Sequence, residues 1–253
     1  MSHTIAVINQ KGGVGKTTTA INVAAYLAKA GKTVLVVDAD PQGNATSGLG
    51  LDKHSLGSTL YDVLFDNADA ASTILETETD GLFVLPSNAN LAAAEVDMVG
   101  TLSRETLLKR AIEKCSHDYI LIDCPPSLGL LTVNALTAAD SVLIPVQAEY
   151  YALEGLSQLL SVIDQVRHGL NHNLSILGVV LTMYDARTSL SGQVEAELKK
   201  HFGDKVLSTV VPRNVRLAEA PSYGKTIADH DKWSRGARAY KQLTKEIIKR
   251  AVA

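Results

Sequence analysis

Cysteine is scarce in this 253-residue chain: the two present, Cys115 and Cys124, are too few for a disulfide framework. So low a number is typical of a reducing compartment, and we expect a cytoplasmic protein. No run of 18 or more uncharged apolar residues occurs, and the first residues lack a secretory pattern, so neither a membrane span nor a signal peptide is predicted. Aromatic residues form 5% of the chain, which argues against a surface that stacks the bases of single-stranded nucleic acid.

Apolar residues, in contrast, form 46% of the chain, which is enough for a large buried core. The length is common for one large α/β domain, and no linker, repeat or low-complexity segment divides the sequence. We therefore expect a single domain over residues 1–253.

Charge is distributed unevenly along the chain. Residues 199–253 hold 13 Lys and Arg against 5 Asp and Glu, a net charge of +8, whereas the whole chain has a net charge of −3. A basic end on an acidic body indicates a surface that faces a polyanion. The charge count alone fits a set of solvated helix faces equally well.

Apolar, β-branched runs alternate with helical patterns. Thr4–Asn9 and Thr33–Asp38 are apolar at successive positions, which predicts strands buried on both faces, with a helix over Thr17–Ala30 between them. Further strands are predicted at Leu82–Pro86, Tyr119–Asp123, Ser141–Val146, Ile176–Thr182 and, as a short one, Val206–Val211. Further helices are predicted at Arg104–Lys114, Leu128–Ala138, Leu153–Arg167, Gly192–His201 and Arg235–Ala251. This order predicts an α/β fold with a doubly wound, mostly parallel sheet and helices on both faces, with Asn44–Asp80 as an elaboration of the same domain.

The most specific motif lies between the first predicted strand and the first helix, where residues 10–18 are QKGGVGKTT. Glycines let the backbone curl so that N–H groups point at phosphate oxygens, and the helix N-terminus adds a partial positive charge. Lys16 can reach the β- and γ-phosphates of ATP, and the Thr17 hydroxyl can ligate Mg²⁺. The motif predicts a P-loop NTPase whose nucleotide-binding residues are Lys11, Gly12, Gly13, Val14, Gly15, Lys16, Thr17 and Thr18.

Two predicted strands end in aspartates. Asp40 follows the second strand, and the carboxyl ends of parallel strands meet at the edge where ligands bind, so we expect it beside the phosphate loop. A carboxylate there can position water for attack on the γ-phosphate or hold Mg²⁺ through water. Asp123 ends an apolar strand in a Walker B pattern, which predicts a second metal-shell carboxylate. For Asp38, support of the loop or metal shell and a simple turn position both stay open.

The phosphate loop departs from the usual pattern. Gln10 stands where glycine is usual, and a second lysine, Lys11, lies within the loop. The segment Lys11–Thr18 resembles the signature of the deviant Walker A ATPases of the ParA/MinD type. Five more segments resemble the Soj-type chromosome-partitioning branch of that family: DADPQGNATSGLG (38–50), DCPPSLGLLTVNAL (123–136), PVQAEYYALEGLSQL (145–159), TMYDART (182–188) and VPRNVRLAEAPSYGK (211–225).

This resemblance implies an ATPase that is slow alone and works as a switch. Mg²⁺-ATP would drive a sandwich homodimer in which Lys11 reaches the partner's nucleotide and Gly12 lies where the two loops meet. Lys11, Lys16 and Asp40 would be the catalytic residues, with Thr17, Asp40 and Asp123 around the metal. The dimer would bind duplex DNA without sequence preference, associating with the nucleoid, and a ParB-type centromere-binding protein would stimulate hydrolysis.

Basic side chains toward the C-terminus are the candidates for DNA contact. Arg187 and Arg216 match family positions associated with DNA, and Lys225 and Arg235 follow them. Lys232 and Arg238 belong to the wider set of candidates. By analogy, Pro212 and Arg213 lie near the adenine, so Arg213 can serve the nucleotide rather than DNA.

Two other functions are known for ATPases with a similar phosphate loop. A MinD-like membrane-associated ATPase would need an amphipathic C-terminal helix, and an apolar stripe does occur at Tyr240, Leu243, Ile247, Ile248 and Ala251. The stripe lacks Trp and Phe, so a last helix packed on the sheet is the favoured interpretation and membrane binding is not expected. A metabolic ATPase or ligase of the dethiobiotin synthetase kind is disfavoured by Lys11 and by the extent of the resemblance.

Overall fold

The computed structural model describes residues 2–149 and 155–251, and the strands of its sheet lie in these ranges. Its strands are β1 (His3–Val7), β2 (Val34–Asp38), β3 (Leu75–Glu76), β4 (Leu82–Leu85), β5 (Tyr119–Asp123), β6 (Ser141–Gln147) and β7 (Ser175–Thr182). Their order across the sheet is β3-β4-β2-β5-β1-β6-β7. Neighbours are parallel except for β3 and β4, which pair antiparallel. The predicted mostly parallel α/β sheet is confirmed.

Helices connect the strands. Those in the described residues are α1 (Lys16–Ala28), α2 (Asn44–Gly48), α3 (Leu60–Phe65), α4 (Ala70–Thr73), α5 (Ala94–Asp97), α6 (Leu107–Ile112), α7 (Leu130–Ala138), α8 (Leu156–Gly169), α9 (Ser189–Phe202), α10 (Val215–Glu219), α11 (Ile227–His230) and α12 (Arg235–Ala251). Short 3₁₀ segments lie at Ala89–Ala93, Met98–Gly100, Arg104–Thr106, Gly203–Lys205 and Ala220–Tyr223. None of the described helices has the combination of length and apolar character needed to cross a bilayer.

The sheet is covered on both faces, so two apolar cores share it. Along β1, Ile5 and Val7 join the core that contains α1 and α12, whereas Ala6 joins the core that contains α7, α8 and α9. Every residue of β2 and β5 is buried. Strands that are buried on both faces need apolar side chains at successive positions, which explains the unbroken apolar runs in the sequence.

The predicted strand at Val206–Val211 is wrong. The segment runs beside β7, and the N–H groups of Leu207 and Val211 each donate to β7 carbonyls at 2.8 Å, but its only β-pairing is an isolated bridge between Val206 and Val179. Between these two bonds, the N–H groups of Ser208 and Thr209 donate to the Glu246 carboxylate of α12 at 2.7 and 3.1 Å. The Glu246 carboxylate, which comes from a distant helix, thus accepts backbone N–H groups in the stretch where a continuous strand would pair with β7.

Other differences concern the ends of elements. The predicted helix at Arg104–Lys114 is a 3₁₀ turn followed by the shorter α6. Residues 153 and 154 of the predicted helix Leu153–Arg167 lie outside the described residues, and α8 begins at Leu156. The region at Asn44–Asp80, which had no predicted elements, contains three short helices and β3, and β3 extends the sheet at its edge.

Candidate nucleotide-binding site

The phosphate loop leaves the carboxyl end of β1 and enters α1 at Lys16. Asn9 fixes its beginning, because Asn9 Nδ2 donates to the Pro145 carbonyl (2.7 Å) and Asn9 Oδ1 accepts the Lys11 N–H (3.0 Å). Gly13 and Gly15 have φ angles of +75° and +89°, which residues other than glycine rarely adopt. The loop therefore wraps around the N-terminus of α1, where backbone N–H groups and the helix dipole favour an anion.

Lys16 points into this loop. Its side chain is buried, and its ammonium donates to the Lys11 carbonyl at 3.0 Å across the loop. Burial lowers the pKa of Lys16, while the nearby carboxylates of Asp123 and Asp40 act to raise it. A phosphate bound in the loop would give this lysine a charged acceptor in place of a peptide carbonyl.

Lys11 and Gly12 lie on the outer side of the same loop. The Lys11 ammonium forms an ion pair with Glu149, just beyond β6, and its side chain keeps 41% of its exposure. Gly12 is exposed, and a Cβ added to it would meet no atom of the described residues within 4 Å. The loop thus has a buried lysine inside and an accessible lysine and an uncrowded glycine outside.

Asp38, at the end of β2, holds the segment that follows it. Thr46 donates to Asp38 Oδ2 through its N–H (2.8 Å) and hydroxyl (2.7 Å), and the Asp40 N–H donates to Oδ1 at 3.3 Å. Burial raises the pKa of Asp38 to about 6, although the bonds from Thr46 act to lower it. Of the two interpretations left open by the sequence, these contacts favour support of the loop.

Asp123 lies opposite Asp38 in the pairing of β5 with β2. Both of its carboxylate oxygens are buried, and neither has a hydrogen-bond partner among the described residues. Burial raises the pKa of Asp123 well above its usual range and the charge of Asp38 adds to this, whereas the nearby Thr17 hydroxyl acts to lower it. Because an unpartnered buried carboxylate is costly, this arrangement fits a divalent cation beside Thr17.

Asp40 completes the group of acidic side chains. It is 7% exposed, and it accepts the Gln42 N–H at 2.9 Å through one oxygen. Its carbonyl accepts the Ser87 hydroxyl at 3.0 Å, which fixes the backbone on which the carboxylate is carried. The sequence prediction that Asp40 and Asp123 lie near Lys16 agrees with the influence of both carboxylates on the pKa of Lys16.

A cavity of about 160 Å³ adjoins the loop between the ends of β7 and α12. It is lined by Gly15, Thr18, Thr182, Met183, Val211, Pro212, Arg213, Asn214, Leu217, Ala218 and Tyr240. Pro212 and Arg213 thus line the same cavity as Gly15 of the phosphate loop. Its mostly apolar side chains, with a few polar groups beside them, suit a nucleobase. A larger, more open cleft of about 510 Å³ at α3, α4 and α6 includes no residue of the loop.

Sequence reasoning missed Met183, Asn214, Leu217 and Tyr240 in this cavity. Met183 follows β7 directly and has a φ of +51°, which is uncommon for a side chain of its size. Its position at the carboxyl end of a predicted strand was the available signal. Tyr240 carried no such signal, because it comes from α12, more than 200 residues beyond the loop; its hydroxyl is hydrogen-bonded to Thr19 (3.1 Å).

The four candidates for DNA contact lie outside this cavity and fall into two pairs. Arg187 binds both oxygens of Asp185 (2.9 and 2.7 Å), which lowers the pKa of Asp185 to about 2. Arg216 pairs with Glu219 at 2.9 Å and with Asp231 at 3.7 Å. Lys225 and Arg235 are exposed and, among the described residues, have no carboxylate within 4 Å.

The apolar stripe of α12 packs into the protein. Tyr240, Leu243 and Ile247 are buried in the core beneath α1, and Ile248 and Ala251 pack against that core. The favoured interpretation of the stripe, a last helix packed on the fold, is confirmed.

The chain matches known proteins over almost its whole length. The family model described as an AAA domain matches residues 2–176. The chain is 59% identical over 249 residues to the sporulation initiation inhibitor protein Soj of Bacillus subtilis, with 98% of each covered. It is 51% identical over 250 residues to the chromosome partitioning protein ParA of Caulobacter vibrioides, with 97% of this chain and 94% of that protein covered. A solved structure of cobyrinic acid a,c-diamide synthase from Mycobacterium smegmatis, with bound ATP analog and magnesium, is similar with a TM-score of 0.87 and 36% identity, covering 98% and 95% of the two chains.

Proposed function

Because the chain belongs to the Soj/ParA family of chromosome-partitioning ATPases, we propose that it is an ATP-dependent DNA-partitioning switch in which one nucleotide site controls a basic surface. The observation that carries the proposal is the phosphate loop, where buried Lys16 faces inward and half-buried Lys11 faces outward. A single P-loop lysine would suffice to bind ATP. The second, outward lysine is what a site completed by another copy of the chain requires.

The inner part of the site binds the nucleotide. The N–H groups of residues 11–18 and the Lys16 ammonium would hold the phosphates, and the cavity at Pro212 and Arg213 would hold the base. Thr17 and Asp123 would hold Mg²⁺, with Asp40 nearby, and the ion would neutralise charge on the β- and γ-phosphate oxygens. Asp40 would position the attacking water, because it is the acidic side chain here that keeps some solvent contact.

The outer part of the site makes the dimer. Two copies would meet through their loops at Gly12, where a Cβ would have open space as far as the structure describes the chain. Lys11 would leave Glu149 and extend to the partner's phosphates, supplying positive charge in the way an arginine finger does. Turnover would be slow alone because the site is complete only in the dimer, and a ParB-type protein would stimulate it.

The basic surface would bind duplex DNA through its phosphates. Arg187, Arg216, Lys225 and Arg235 are all exposed, and dimerisation would double the number of cations presented. Backbone contacts of this kind give binding without sequence preference and association with the nucleoid. The pairing of Arg187 and Arg216 with carboxylates implies that DNA must compete for these two side chains.

The experiment that tests this proposal is binding to random-sequence duplex DNA with ATP, with ADP and without nucleotide, across a salt series. We expect tight binding with Mg²⁺-ATP alone, and a steep fall in affinity with salt because each phosphate contact releases counterions. Absence of binding in every state would refute the DNA part of the proposal and leave the ATPase. Binding to anionic vesicles would then be measured, to test the MinD-like alternative.

A further inference from the structure

Trp233 is the only tryptophan in the chain, and most of its side chain is exposed to solvent. Its side chain is 76% exposed in the turn between α11 and α12. Tyr223 (66%) and Val215 (71%) are exposed in the same stretch of chain. Single exposed apolar residues are ordinary on protein surfaces, so exposure alone indicates nothing. What matters is how Trp233 is placed relative to charge.

A network of polar contacts joins Trp233 to Arg216. One oxygen of Asp231 accepts the backbone N–H of Trp233 at 3.1 Å, and the other lies 3.7 Å from Arg216 Nε. The Asp231 carbonyl also accepts the Ser234 N–H at 3.2 Å, so the turn is fixed immediately before α12 begins. Asp231 therefore holds the backbone that carries Trp233 and also lies beside a candidate DNA-contacting arginine.

Cations and a second aromatic side chain surround this turn. Lys232 Nζ lies 5.4 Å from the centre of the Trp233 ring, within cation–π distance. Tyr223 stacks on His230 with ring centres 5.1 Å apart, and His230 in turn lies 3.8 Å from Glu219, the partner of Arg216. Arg216, Tyr223, Lys232 and Trp233 are thus linked through Asp231, Glu219 and His230, and we call these four residues the Trp233 surface.

Resting on the proposed DNA-binding function, we propose that Trp233 is a direct, non-ionic contact to duplex DNA within the Trp233 surface. Arg216 and Lys232 would bind phosphates on either side, and the indole would pack against deoxyribose or into the minor groove, where proteins often place apolar side chains. The contact would add affinity that salt cannot screen. It would also be indifferent to sequence, because sugars and groove walls are shared by all base pairs.

The packing of α12 favours DNA over a lipid surface as the occupant, and the charge suits a polyanion. Membrane-binding helices present a broad apolar face beside their basic residues, but the apolar stripe of α12 is buried in the core. The exposed large apolar side chains here are three separate residues, Val215, Tyr223 and Trp233, and not a continuous helix face. Residues 199–253 have a net charge of +8, which complements a polyanion.

The single tryptophan allows a direct test. Trp emission and the anisotropy of a labelled 30-base-pair random duplex are followed together, with Mg²⁺-ATP, from about 50 to 200 mM KCl. We expect DNA to change the emission of the wild type and Trp233→Ala to weaken binding about tenfold, which is 1.4 kcal/mol. The slope of log affinity against log salt should stay unchanged in Trp233→Ala and become shallower in Lys232→Ala, because only the lysine releases counterions. Trp233→Phe should recover most of the lost affinity.

The control is Leu102→Ala, which removes an apolar side chain that is 90% exposed elsewhere and should leave binding unchanged. If the wild type binds DNA with ATP, but its emission is constant and Trp233→Ala binds equally well, the inference is wrong and the proposed function stands. If the wild type binds no DNA in any nucleotide state, the proposed function fails. If emission instead responds to vesicles of phosphatidylglycerol and phosphatidylcholine, the Trp233 surface contacts lipid and the inference is overturned.

Discussion

Lys16 and Arg235 are each the first residue of a helix, yet they lie in opposite surroundings. Lys16 is buried, its pKa is lowered by that burial, and two carboxylates influence it. Arg235 is exposed and, among the described residues, has no carboxylate within 4 Å. A small, highly charged ligand requires a few fixed groups in a shielded loop, whereas a polyanion can be bound by many exposed cations. The comparison implies that single substitutions have large effects at the loop and small ones on the basic surface.

The largest effect is expected for Lys16→Ala. Loss of the ammonium removes the buried charge that faces the phosphates, so ATP affinity should fall by about a hundredfold or more. Isothermal titration with Mg²⁺-ATP measures this directly. Lys29→Ala is the matched control, because Lys29 follows the other end of α1 and pairs with Asp229 at the surface. Ordinary ATP affinity in Lys16→Ala would overturn the assignment of the loop.

Asp40→Ala should separate binding from hydrolysis. We expect ATP binding to persist and turnover to fall by about 10² to 10³, because the group that positions water is lost. The dimer should then persist in ATP, as light scattering would show. Asp38→Asn provides the contrast: by weakening the bonds to Thr46 and Asp40 it should lower thermal stability, which Asp40→Ala should change little. Turnover like that of the wild type in Asp40→Ala would remove Asp40 from the mechanism.

Glu246→Gln tests how α12, which begins at Arg235, is attached to the segment at Ser208 and Thr209. Burial acts to raise the pKa of Glu246, but hydrogen bonds from Ser208 and Thr209 outweigh it and the pKa is lowered. Since the folded pKa is below the unfolded one, this contribution is present above the unfolded value and is lost as pH falls through the folded value. We expect Glu246→Gln to cost about 2 kcal/mol at pH 7 and less at acidic pH. Thermal unfolding across pH checks this, and an equal loss at every pH would contradict it.

The smallest effect is expected when the carboxylate of Asp185, which pairs with Arg187, is neutralised. Asp185→Asn leaves the geometry of Arg187 similar but removes the charge that neutralises it. If Arg187 contacts DNA, affinity in ATP should rise by about two- to fivefold, because the phosphate no longer competes with a carboxylate. Glu195→Gln is the control, since it frees a lysine on α9 outside the candidate set. Unchanged affinity in Asp185→Asn would remove Arg187 from the DNA-binding surface.

The same comparison explains what the sequence could predict. The phosphate loop is encoded by contiguous residues between a strand and a helix, so its glycines, Lys16 and Thr17 were identified without the structure. The strand ends bearing Asp40 and Asp123 followed from the rule for parallel sheets. The cavity beside the phosphate loop was only partly predicted, because Tyr240 reaches it from a distant helix. The bonds from Ser208 and Thr209 to Glu246 join distant parts of the chain, so no local pattern predicts them. Arg187 and Arg216 pair with carboxylates that are close in sequence, but spacing alone does not show that the charges pair.

The measurement that most directly tests control of the basic surface by the nucleotide site is the DNA affinity of Gly12→Val in saturating ATP. A valine at this position meets no atom of residues 2–149 or 155–251 at its Cβ, so ATP binding should be retained while the approach of a second loop is blocked. Gly57→Val, another exposed glycine with open space, is the control and should bind DNA like the wild type. We predict that Gly12→Val binds ATP, stays monomeric and loses tight DNA binding. If it binds ATP and DNA as well as the wild type does, the basic surface is not controlled through the loop.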